Sequence, residues 1–304
     1  VTKSKQRAQE RARQVRAAQL AAQARRRRMR IAGAAIGVVV LVLGILIAVK
    51  LASGGSKPTA STATAGPAPS AVSAALASVP ASVLDQIGAG KVNSAPVLIS
   101  DQPVLTDSGK PLVVYLGAEY CPFCAGERWA MVVALNRFGS FTNLGVTHSS
   151  STDVYPDTPT LTFHGATYTS QYLTFQGVEM QSNQPQGNGY APLDSPTQLQ
   201  QQLLSKFDAP PYVPSDSAGS IPFIDFANQA VMTGASYSPE LLAGKTAEQI
   251  AQALSDPSSA IAQAVDGTAN AFTALICQLT NSQPGPVCGS DAVTAYQGKF
   301  HAAG

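Results

Sequence analysis

The sequence predicts an α/β domain held outside a membrane by one N-terminal transmembrane helix, with a β-rich segment inserted into the domain. Three observations lead there. Residues 31–49 (IAGAAIGVVVLVLGILIAV) are 19 apolar positions without a charge, long enough for one crossing at about 1.5 Å of rise per residue. Residues 111–117 (PLVVYLG) form a continuous apolar run of strand length, and a short link carries them into apolar residues at helical spacing over 122–138. Further short apolar runs between turn residues then alternate with helical stretches, the pattern of a mixed sheet covered by helices.

The chain has 304 residues, 45% hydrophobic and 12% charged, which suffices for a core and for one or two domains. Residues 1–30 hold 11 of the 20 Lys and Arg, with Glu10 as the only acid. Arg25, Arg26, Arg27, Arg28 and Arg30 abut the apolar run on its N-terminal side, against Lys50 and Lys57 beyond it, so the N-terminus is expected in the cytoplasm. A cleaved signal peptide fits less well. Its apolar region runs about 7 to 15 residues and ends in a small-x-small site. Here the run is longer and the exit reads Ala48-Val49-Lys50. No cysteine follows closely enough to serve as a lipid-modified tether. The basic tail is expected to rest on membrane lipid, each basic residue gaining about 1 kcal/mol against anionic headgroups; an RNA-contacting arm is the alternative. Residues 51–304 carry 8 basic against 17 acidic side chains, a balance of −9, which excludes nucleic acid as a partner of the outer part.

Residues 50–70 are mostly Ser, Thr, Ala, Gly and Pro and are expected to form a flexible stalk, leaving 71–304 as the extracytoplasmic domain. Within it the spacing predicts a helix over 72–87 stopped by Gly88 and Gly90, a strand at 97–100, the strand at 111–117 and the helix at 122–138. A short strand at 144–147 follows, then strands at 160–163 and 172–180 joined by a turn at Gly165. A helix over 199–207, a hairpin pairing 221–226 with 230–233 around Asn228-Gln229, and helices over 246–254 and 258–279 complete the reading.

Four cysteines lie on the outer side, where thiols are free to oxidise. Cys121-Pro122-Phe123-Cys124 sets two sulfurs one turn apart at the start of a helix that follows a buried strand, the context that makes this spacing a redox motif. Pro122 suits the first helical position, which leaves Cys121 at or beside the N-cap. Unpaired N–H groups there favour thiolate over thiol, so Cys121 is expected to be the attacking sulfur and Cys124 the shielded, resolving one. An inert disulfide remains open for this pair. A zinc site would need a second close pair, but Cys277 and Cys288 have ten residues between them, Pro284, Gly285 and Pro286 included, and His148 and His164 are not spaced as ligands, so no metal is expected. Metal delivery would call for a Met or His cluster beside the pair, and none accompanies it. Cys277 and Cys288 are read as a structural disulfide, with a relay pair as the alternative.

The segment Ala118-Glu119-Tyr120-Cys121-Pro122-Phe123-Cys124, after the strand, resembles the active-site segment of the thioredoxin superfamily. Its Cys-Pro-aromatic-Cys form is similar to the extracytoplasmic disulfide oxidoreductases and isomerases of the Dsb type, and the single N-terminal helix resembles an uncharacterised bacterial group. The resemblance implies a thioredoxin-like core over about 95–150 and 218–256, with the insertion at about 150–217, in a bacterial cytoplasmic membrane protein. It likens Ser220-Ile221-Pro222-Phe223-Ile224 to the cis-proline loop of that fold and assigns Ile221 and Pro222 to substrate binding, with Tyr120 and Phe123 flanking the cysteines. The implied activity is thiol-disulfide exchange with protein thiol or disulfide substrates and a membrane redox partner, and it needs no cofactor. The alternative is a non-catalytic accessory subunit of a membrane complex. The chain departs from the pattern at Tyr115, where an acidic residue often stands six places before the first cysteine. Glu119 or Glu127 could take that part, although an exposed carboxylate is the expectation for each. Trp129 is expected in the core, His148, His164 and His301 as ordinary surface or satisfied residues, and Tyr168, Tyr172 and Phe175 as packing in the inserted sheet. Phe123 adds no positive charge, so a less oxidising pair than Cys-Pro-His-Cys is expected, with the direction of exchange open.

Overall fold

The computed structural model describes residues 65–215, 217–296 and 299–302, all within one unit, Ala60–Gly304. The basic tail at 1–30, the apolar run at 31–49 and the expected stalk as far as residue 64 lie outside the described residues. The end of that stalk is built into the fold: β1 (Gly66–Pro67) pairs antiparallel with residues 145–146, and the Ala68 N–H donates to the Leu144 carbonyl at 2.9 Å. Two helices follow, α1 (Ser70–Ala77) and α2 (Ala81–Ile87), where the spacing predicts one. Pro80 is the reason. It has no N–H to give and bars the residue before it from the helical region, so α1 stops and α2 restarts with Pro80 at its N-cap. Gly88 and Gly90 end α2 at positive φ. At Gly90 the freedom is required, because a Cβ there would lie 2.2 Å from the Gln263 carbonyl oxygen.

The elements then run β2 (Val97–Leu98), β3 (Thr106–Asp107), β4 (Lys110–Gly117), α3 (Pro122–Asn136), β5 (Gly139–Thr142), β6 (Gly145–His148) and β7 (Pro159–Thr162). After them come β8 (Thr167–Ser170), β9 (Thr174–Glu179), β10 (Gln181–Gln186), β11 (Gly189–Pro192), α4 (Gln198–Phe207), β12 (Phe223–Phe226) and β13 (Ala230–Thr233). A 3₁₀ turn (Pro239–Leu242), α5 (Ala247–Ala253), α6 (Ala260–Leu279), α7 (Gly285–Cys288), α8 (Asp291–Thr294) and β14 (His301–Ala302) complete the chain.

The main sheet centres on β4. It pairs antiparallel with β12, Phe223 opposite Leu116, and parallel with β9, Thr174 opposite Leu112 and Glu179 opposite Gly117. Beyond β12 lie β13, β2 and β14, while β3 forms a hairpin with the start of β4. Side chains alternate along β4. Val113 and Tyr115 join Trp129, Met131 and Leu135 of α3 and Val265 and Phe272 of α6 on one face. Leu112, Val114 and Leu116 join Leu203 and Phe207 of α4 on the other. Both faces are therefore covered, which explains why β4 reads as an unbroken apolar run. The fold is mixed α/β, as the sequence predicts.

The segment at 150–217 does hold strands and one helix, but it is not a separate subdomain. Its β9 lies beside β4 in the main sheet, β7 pairs with β6, and α4 covers the second face. The turn at Gly165 leads into β8, which pairs with β5, before the chain reaches β9. The hairpin from β12 to β13 turns on Ala227 and Asn228, both at positive φ, one residue earlier than expected. Predicted helix starts agree to within two residues because their caps are explicit: Thr197 with Gln200, and Thr246 with Gln249, form capping boxes. Among the described residues no single helix is long and apolar enough to cross a membrane.

Cys277 and Cys288 are bonded, both buried, and tie the end of α6 to α7. The crosslink closes a loop with a sequence separation of 11. Converting both to serine is expected to lower the unfolding free energy by about 3 kcal/mol, through the loop entropy regained by the unfolded chain. Urea unfolding of the double variant measures it, and an unchanged midpoint would remove the structural role.

Candidate functional site

The site begins where β4 ends. Residues 118–120 link Gly117 to α3, and Cys121 is the N-cap, at φ −77° and ψ 120°, with Pro122 in the first turn. The Cys124 N–H donates to Cys121 Sγ at 3.2 Å, so the sulfur serves as the capping acceptor. Ile221 and Pro222, joined by a cis peptide, open β12. Because β12 runs antiparallel beside β4, they arrive at the same end of the sheet as the cysteines, with Cys121 Sγ 3.7 Å from the Ile221 carbonyl oxygen. The register of two strands thus unites the two pieces that the sequence names 100 residues apart.

Both sulfurs are thiols in this structure. Cys121 is 5% exposed and Cys124 wholly buried. Cys121 is held below the ordinary thiol range, first by the hydrogen bond from the Cys124 side chain; burial opposes this, and the Cys124 N–H and the charge of Arg128 add to it. Burial pushes Cys124 well above that range, and its hydrogen bond to Cys121 acts in the same direction. The two thiols are therefore unequal, the N-cap sulfur being the readier to ionise.

Two aromatic contacts frame the motif. Phe123, 39% exposed, meets the Tyr155 ring edge-on at 5.8 Å. Tyr120 stacks on Tyr190 at 4.2 Å with 7° between the planes. The Tyr190 hydroxyl bonds Ser150 Oγ at 2.7 Å, and the Ser150 N–H donates to the Tyr120 carbonyl at 2.8 Å. The loop at 149–158 and the β10–β11 hairpin thereby hold the link before Cys121. Tyr155 and Tyr190 were not legible as site residues, since only the tertiary fold brings them to the cysteines. Tyr168 and Phe175, by contrast, pack with Phe141 and Phe163, as expected of an inserted aromatic strand.

Beneath the motif lies charge that the sequence reading did not place. Arg128 is fully buried and donates to Glu179 through Nε at 2.7 Å and Nη2 at 2.6 Å, to the Ala118 carbonyl through Nη2 at 2.7 Å and to Thr160 Oγ1 at 3.3 Å. Glu119 and Glu127, expected exposed, are 2% and 0% exposed. For Glu127 the cause is that neighbouring elements surround α3, with the 3₁₀ turn and the segment at 232–237 covering its outer side, whereas Glu119 lies in the link before α3, where its N–H donates to the Gln181 carbonyl of β10. Glu127 accepts from the Ser236 N–H and Oγ, both at 2.9 Å, and burial raises it to about 7. Tyr115 lies over Gly117, and its buried hydroxyl has no partner among the described residues. Trp129 is buried as expected, with Nε1 bonded to the Pro159 carbonyl. His148 closes β6, and His164 pairs with Asp194 at 2.7 Å on the surface. Among the described residues no group of three or more His, Cys, Asp or Glu is placed to hold a metal.

No curated protein and no solved structure matches the chain. A family model described as a domain of unknown function, DUF929, matches residues 95–278, which take in the central sheet apart from β14, both site cysteines, Arg128, Glu179 and the Ile221–Pro222 peptide. That match spans more than half of the sequence, and the chain belongs to the DUF929 family.

Proposed function

We propose that this protein is a membrane-tethered, extracytoplasmic thiol-disulfide oxidoreductase with a thioredoxin-like core. The observation that carries the reading is the geometry of Cys121: an N-cap sulfur bonded by the Cys124 N–H and lying beside the Ile221 carbonyl. The apolar run at 31–49 and its flanking arginines support the tether. In the reducing direction, the Cys121 thiolate attacks one sulfur of a substrate disulfide, forming a mixed disulfide and expelling the other substrate sulfur as thiolate. Cys124 then gives up its proton and attacks Cys121 Sγ, which releases the second substrate sulfur and leaves a Cys121–Cys124 disulfide. Two electrons pass to the substrate, and the reverse sequence oxidises a substrate dithiol. The backbone at Ile221 offers its carbonyl to an extended substrate strand, with Tyr120 and Phe123 on either side of the reacting sulfur.

The low exposure of Cys121 favours a second reading, an accessory subunit whose cysteine pair does not exchange. One experiment separates the two. Cys124→Ala removes the resolving sulfur and is expected to accumulate mixed disulfides with protein substrates, seen as thiol-sensitive adducts on non-reducing gels, while Cys121→Ser gives none. Absence of adducts from Cys124→Ala would reject the exchange reading in favour of the accessory one.

A further inference from the structure

Arg128 stands four residues after Cys124 and seven after Cys121, so the three side chains leave α3 on one face, a turn apart. A guanidinium with no exposure costs much desolvation unless it is fully bonded. Here each of its three nitrogens is bonded: two reach the carboxylate of Glu179, Nη2 also reaches the Ala118 carbonyl three residues before Cys121, and Nη1 reaches Thr160. The cation is therefore fastened to the link that delivers Cys121 to its helix. Glu179 comes from the last position of β9, and its Oε1 also accepts from the Phe163 N–H at 3.3 Å. With both charges out of water, their fields reach nearby sulfurs with little screening. Arg128 lowers both thiols, and Glu179, ion-paired with it at 2.6 Å, is the opposite charge beside it.

We propose that Arg128 and Glu179 form a charge pair that sets the thiolate chemistry of the Cys121–Cys124 site, Arg128 as a positioning cation and Glu179 as the counter-charge that limits it. The inference deepens the exchange reading and rests on it. A purely structural ion pair makes a different forecast: loss of either partner weakens the fold, and neither moves the sulfurs in a direction set by sign. Charge control makes the two losses opposite.

The test is the pH dependence of iodoacetamide alkylation of Cys121 in the reduced full chain. Glu179→Gln keeps the shape of the side chain and one of its two accepting oxygens and leaves the cation unopposed, so the ionisation constant of Cys121 is expected to rise about tenfold. Arg128→Met is expected to lower it about tenfold, Arg128→Lys to restore it most of the way, and the double variant R128M/E179M to lie between the single variants. Arg128→Met strands a buried carboxylate and is the variant most exposed to unfolding, so Glu179→Gln decides alone if needed. A Cys121 midpoint below that of a free thiol, left unmoved or moved upward in pH by Glu179→Gln, would overturn the charge pair and leave the exchange reading standing. A wild-type Cys121 that ionises like a free thiol would overturn the exchange reading itself.

Discussion

Replacement of Trp129 by alanine is expected to lower the unfolding free energy by about 4 kcal/mol, the range for deleting a large aromatic from a core. Trp129 has no exposure, is among the largest fully buried side chains, and sits on the α3 face that packs against the sheet. Its removal also leaves the Pro159 carbonyl without the 3.1 Å bond from Nε1, adding the cost of an unpaired buried acceptor. Pro159 begins β7, so the loss is felt on the side of the site where Thr160 meets both Arg128 and the Ala125 carbonyl. Urea unfolding followed by far-ultraviolet circular dichroism measures the loss. A change under about 1 kcal/mol would mean that the ring is not the packing centre described above.

The second large effect is a fall of stability with rising pH. Asp266 on α6 is fully buried, neither carboxylate oxygen has a hydrogen-bond partner among the described residues, and burial raises it to about 8 against the opposing pull of Arg137. Burial likewise raises Glu127 to about 7, and raises Asp225, which holds only the Asn228 N–H on one oxygen, to about 7. An unfolded chain releases these protons near pH 4. The folded chain keeps them up to between 7 and 8. Over that window the folded state binds more protons, so the unfolding free energy declines as pH rises, by several kcal/mol in all. The urea midpoint is expected to be higher at pH 5 than at pH 8, and Asp266→Asn is expected to flatten the decline. A midpoint that climbs from pH 5 to pH 8 would contradict the burial of these groups as acids.

Much of this was legible in the sequence because it is written in local chemistry. The run at 111–117 must be covered on both faces, Pro122 must stand in the first turn, and Thr197 and Thr246 announce helix starts. The missed parts depend on pairing at a distance. Nothing local in residues 174–179 says that this strand lies parallel to β4 rather than in a sheet of its own, and only that register sets Glu179 opposite Gly117 and within reach of Arg128. The burial of Glu127 depends on distance in the same way. A carboxylate in an amphipathic helix is read as solvent-facing until the covering segment, here 232–237 with Ser236, is known to lie on that side. Tyr190 is reached through the β10–β11 hairpin, whose polar sequence gives little strand signal.

The chain's only indole is carried by the helix that Cys121 caps. Its emission is therefore a local gauge in place of the usual average over many emitters. A spectral change on oxidation or on binding a peptide reads the surroundings of α3 alone, so the protein carries its own optical reporter with no label to install.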